Sequence, residues 1–123
     1  MTWSISGVIR VLLVPPDSGQ PMRLMDVDSE RFERVLGGPM VRVRALTEAP
    51  LVSWQAFVNA AAQEVGAEPN YRAQRVAAAI GGQPSRTMYG PVLFTGRGPQ
   101  GEIKGLPGIV NQMAGLFGHV SHG

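Results

Sequence analysis

The chain contains no cysteine, which excludes disulfides, thiolate metal sites and cysteine nucleophiles. Long hydrophobic runs are missing too. No stretch approaches the roughly 18 apolar residues of a membrane span, and Met1 to Gly7 lacks the charged start of a signal peptide. The expectation is a cytoplasmic protein with no membrane association. Lysine is almost absent: Lys104 is the one lysine among eleven basic residues, and the arginines stand singly between acids. The net charge of +2 and pI near 9.7 therefore rest on scattered cations. Proteins that grip nucleic-acid phosphates cluster such cations along a face, and no segment here does so.

What the chain has is 123 residues, 44% of them hydrophobic, enough for one domain with its own core and too few for two. Only 16% are charged, whereas glycine (16) and proline (10) are frequent. Many short elements joined by turns are expected, which argues against a helix bundle.

The most distinctive stretch is Glu68 to Gly96, EPNYRAQRVAAAIGGQPSRTMYGPVLFTG. Pro69 disfavours helical geometry at Glu68, and Asn70 then stands where an N-cap belongs. Val76, Ala79 and Ile80 recur at helical spacing, and Gly81-Gly82 supplies a terminator, so a helix is predicted over Tyr71 to Ile80. Arg72 and Arg75, three apart, are expected on one face of its first turn, where the helix dipole already carries partial positive charge. A bound anion would resolve that conflict. Solvated arginines paired with Glu64 or Glu68 are the plainer explanation.

Ser6 to Val14 is β-branched and broken only by Arg10, the pattern of a buried central strand. PPDSGQP is a turn, and Met22 to Val27 alternates as the second strand of a hairpin. Asp28 or Ser29 can cap a short helix with Phe32, Val35 and Leu36 inward and Gly37-Gly38 at its end. Met40 to Leu46 alternates with Arg42 and Arg44, a strand whose arginines face away from the core. Leu51 to Val65 fits both a helical stripe and a strand. Val92 to Thr95 is a short strand, GRGPQG a turn, and Glu102 to Gly105 the return of a hairpin. Pro107 opens a last helix with Ile109, Val110, Met113, Leu116 and Phe117 as its apolar face. His119 to Gly123 is expected to be a flexible tail beyond a domain spanning residues 1 to 118.

The segments IRVLLVPP, FERVLGGPMVRVRAL, EPNYRA and GPVLFTG resemble, over Ile9 to Met113, the small-protein family described as domain of unknown function 3846. That family is encoded by bacteriophages, notably those of actinobacteria, and by plasmids. Its leucine-proline-x-asparagine signature is matched here by Glu68-Pro69-Asn70, with the leucine replaced. The resemblance implies a strand over Leu51 to Val58 and a phage accessory protein working in the cytoplasm of an infected bacterium. It supplies no activity, ligand or catalytic residue.

Chemical motifs are sparse. Gly96-Arg97-Gly98-Pro99-Gln100-Gly101 is a literal GxGxxG, but Pro99 and a strand follow where a dinucleotide site needs a helix. His119 and His122 are three apart without a carboxylate to complete a metal site. No catalytic residue, metal or cofactor is assigned, and the protein is expected not to be an enzyme, an unrecognised site assembled from distant residues being the third reading.

The fold expected is a single α+β domain, an antiparallel or mixed sheet of five to seven short strands covered by two or three helices, with doubly wound α/β as the alternative. The function expected is binding of a host protein or a small anionic metabolite, with nucleic-acid binding second. The candidate binding residues are Asn70, Arg72, Arg75, Arg86 and Tyr89, at the amino end of the Tyr71 to Ile80 helix and in the loop Gln83 to Gly90. That loop leaves the far end of the helix, so it has to fold back along about 15 Å, at ~1.5 Å per residue. Whether the last helix packs on its own sheet or on a second copy stays open.

Overall fold

The first apolar run decides the layout. The computed structural model describes residues 7–43, 54–82, 84 and 86–122, and in it strand β1 (Val8–Val14) buries both faces: Val11, Leu12 and Val14 are all fully inaccessible. A strand apolar on both sides needs cover on both sides and neighbours at both edges. β1 has them. It pairs antiparallel with β2 (Met22–Asp28) through the predicted hairpin, and on its other edge with β5 (Val92–Arg97). β5 pairs in turn with β4 (Trp54–Asn59), and β4 with β3 (Met40–Arg42). The short β6 (Ile103–Lys104) extends past the end of β1 along the same edge of β5, and β7 (Val120–His122) runs parallel to β2 at the far side.

The sheet order is thus β3-β4-β5-β1-β2-β7, with β6 on β5, and among the described strands only the β2–β7 pair is parallel. This is a mixed α+β sheet, not a doubly wound one, because five of the six described strand pairs are antiparallel. Helices α2 (Tyr71–Ala79) and α3 (Gly108–Ala114) cover one face. There Leu12, Val14, Ala56, Val92 and Phe94 meet Ala73, Val76, Ala77, Ile80, Val110 and Ala114. The other face carries Val11, Val27, Phe57, Leu93 and Ile103, closed by Phe32 and Leu36 of α1 (Phe32–Leu36). Asp28 caps the 3-10 turn that leads into α1, accepting from the Glu30 N–H at 3.0 Å, and Gly37 ends the helix at φ 86°.

Three expectations are corrected. The stretch from His119 is not a tail, since Val120–His122 form β7: His119 O accepts from the Met22 N–H at 2.9 Å, and half-buried Val120 packs on the first core. Its alternating apolar residue found a partner edge that local pattern cannot reveal. The apolar stripe of α3 is narrower than expected: Val110 and Ala114 are buried, but Ile109 (43%) and Leu116 (71%) are exposed. Arg42 is exposed, as expected, yet it stands opposite Phe57 and so leaves the sheet on the face of the second core, with Nη1 3.9 Å from where a Cβ on Gly101 would sit. The expected strand portions at Ser6, 44–46 and 51–53 lie outside the described residues. Trp54–Asn59 is strand, as the family resemblance implied.

Candidate functional site

Asn70 is the hub of the stretch singled out in the sequence. It is fully buried, and its Oδ1 accepts from the Ala73 N–H at 3.0 Å, the N-cap bond that starts α2. Its Nδ2 donates to two carbonyls, Val14 at the end of β1 and Gly90 before β5, both at 2.8 Å. Its backbone N–H donates to Met88 O at 2.7 Å. The loop after α2 does fold back: Pro69 and Tyr89 form a bridge, and the Gly90 N–H donates to Glu68 O at 2.8 Å. A tight helix end makes the reversal possible. Gly81 takes φ 93°, and Gly82 donates to Ala77 O at 2.9 Å, a Schellman closure.

In the first turn of α2, Arg72 departs from the expected exposed pair. It is only 7% exposed, whereas Arg75 points to solvent. The guanidinium donates to three carbonyls of the turn between β1 and β2: Pro15 at 3.0 Å and Asp17 at 3.2 Å from Nη2, and Ser18 at 3.4 Å from Nη1. Burial pushes its pKa down, and the neighbouring Asp17 opposes that shift. Carbonyl dipoles, neither a bound anion nor Glu64 or Glu68, thus face this cation, and its Nε is left buried without a partner.

The returning loop builds a groove. A cavity of about 700 Å³ opens between it, the turn after β4, and the outer strands β3 and β4. Val41, Val43, Val58, Ala62 and Met88 make its apolar surface, and Gln63, Arg86, Thr87 and Tyr89 bring polar groups to it. Among the described lining residues there is no carboxylate and no imidazole. Asn59 also borders the groove, but its Oδ1 accepts from the Ala61 N–H at 2.9 Å and its Nδ2 donates to Leu36 O at 3.4 Å. Arg42 borders it only as the strand neighbour of Val41 and Val43, because its guanidinium lies on the other face beside Gly101.

The five residues singled out from sequence therefore separate. Arg86 and Tyr89 share the groove; Asn70 ties the start of α2 to the returning loop; Arg72 holds the turn between β1 and β2; Arg75 stands on the exposed side of α2. Val41, Val43, Val58, Gln63 and Met88 also line the groove, and no motif marks them in the sequence. The alternation of valine with arginine in Met40–Arg42 and onward was the one sequence signal for part of this surface, and it says nothing of what lies above the strand.

The fold and this groove define a mixed-sheet α+β domain with an open cleft whose described lining holds no carboxylate. No family model, curated protein or solved structure matches the chain. No described helix is long and apolar enough to cross a membrane, and no three described histidine, aspartate or glutamate side chains gather as metal ligands.

Proposed function

We propose that this chain is a non-enzymatic binding protein, an accessory protein of the phage-encoded kind its motifs resemble, which holds a small anionic ligand in the groove between the β3–β4 edge and the loop after α2. The observation that carries the reading is the character of that groove. Its described lining offers apolar walls and one side-chain cation facing it, Arg86, with the Thr87 and Tyr89 hydroxyls beside it in sequence and no described acid to neutralise it. Its volume of about 700 Å³ lies within the range of small-molecule sites. The absence of a described carboxylate or imidazole removes the usual proton-transfer groups, which favours binding over turnover.

The test is a thermal-shift screen of the purified protein against a library of small carboxylates and phosphates, repeated with Arg86→Gln. At least one anion should raise the melting temperature of the native protein and fail to do so for the variant. If every anion leaves both proteins unmoved, while affinity purification from a bacterial host recovers one protein at high salt, the groove is not an anion site and the chain works through a protein partner.

A further inference from the structure

Resting on the groove reading, we infer that the ligand is a monocarboxylate with an apolar body, not a phosphate ester. A phosphate carries up to two charges on three oxygens and is held by several converging donors, often a free helix amino terminus together with more than one cation. The other described donors of that kind are either engaged or placed away from the groove. The first turn of α2 is closed by the Asn70 side chain, whose oxygen takes the Ala73 N–H and whose amide protons go to Val14 and Gly90. Arg72 serves the carbonyls of Pro15, Asp17 and Ser18. Arg42 lies across the sheet beside Gly101.

Among the described cations what remains to the groove is one guanidinium, Arg86, exposed and without an ion-pair partner among the described residues. A planar guanidinium matches one carboxylate in a two-point contact. The rest of the ligand must satisfy a surface of opposite character. Val41 is 46% exposed on the groove side of β3, and Met88 is packed into the wall. A compact ion would leave Val41 and Val58 wet, whereas an aryl or branched alkyl body would cover them.

The experiment is a heteronuclear NMR titration of the full chain with three matched probes: hydrocinnamate, its primary amide, and phenethyl phosphate. Hydrocinnamate should shift the backbone amides of Thr87 to Gly90 together with those of Val41 and Val43. The amide should bind roughly tenfold or more weakly, since a charge-assisted hydrogen bond is lost, and the phosphate should bind no more tightly than the carboxylate. With Arg86→Gln, acid and amide should become equal. Tighter binding of the phosphate at these same residues would overturn the carboxylate inference and leave the groove reading intact. Equal binding of acid and amide to the native protein would overturn it as well. Absence of groove shifts with both anions would take down the groove reading itself.

Discussion

Asn70 and Val14 are 56 residues apart in sequence, and the Asn70 side-chain amide donates to the Val14 carbonyl across 2.8 Å at the point where β1 ends. With the matching bond to Gly90, this joins the start of α2 to two strands and to the wall of the groove. One side chain therefore sets the position of the returning loop.

Asn70→Ala should lower stability by roughly 3 kcal/mol or more, because it removes an N-cap worth about 1 kcal/mol and strands buried carbonyls at about 1–3 kcal/mol each. Denaturant titration measures this, and a change below about 1 kcal/mol would contradict the hub role. Asn70→Asp adds a pH signature. A buried carboxylate facing two carbonyl oxygens has its folded-state pKa raised above the unfolded value near 3.9. Its protonated form is then the tolerated one, so the deficit relative to the native protein should be smallest below that unfolded pKa and should grow as pH rises through the folded pKa.

Arg72 and Arg75 should behave in opposite ways despite their spacing. Arg72→Ala removes three charge-assisted bonds to the β1–β2 turn and should cost about 2–3 kcal/mol. Arg75→Ala, on the exposed side, should stay within about 0.5 kcal/mol. Paired thermal melts decide it: equal melting temperatures for the two variants would mean that Arg72 does not hold the turn.

Gly82 has no room for a side chain. A Cβ there would run into the Trp54 indole, which itself packs at a tilt on Phe94 with ring centroids 5.7 Å apart. Gly82→Ala should therefore destabilise by about 1–3 kcal/mol, the range for overpacking a core, and should perturb the near-ultraviolet dichroism of the indole. Gly105→Ala, where a Cβ meets nothing within 4 Å, is the control and should leave both signals unchanged.

Ending the chain after Gly118 should weaken the domain although it removes no helix and no fully buried residue. The truncation deletes the partner of Met22 on the β2 edge, the Met22–His119 backbone bond of 2.9 Å and the half-buried Val120. A loss of about 1–2 kcal/mol is expected from these terms, read by urea titration. A truncated chain as stable as the full one would show that β7 adds nothing to the sheet.

Much of the local structure was legible. Asn70 after Pro69, the alanine-rich turn and Gly81-Gly82 mark the ends of α2, since capping and left-handed termination act within one or two residues. Equally local is the two-sided apolar run of β1, which placed that strand at the centre of the sheet. The pairing of β1 with β2 followed from a short turn between two alternating segments.

Tertiary structure decided which polar groups remain available. Arg72 and Arg75 look alike in sequence, yet one meets three carbonyls from a turn more than fifty residues away and the other meets water. The groove joins β3, the turn after β4 and the loop at Arg86, three segments with no contact order in the sequence to announce them. Hydrophobic periodicity reports whether a face is covered, not what covers it. Arg42 illustrates the limit, because alternation placed it away from its valine neighbours while only the sheet register put its guanidinium beside Gly101. The scaffold is written in short-range capping and alternation; the candidate groove exists only where long-range pairing brings Arg86 and an apolar wall together.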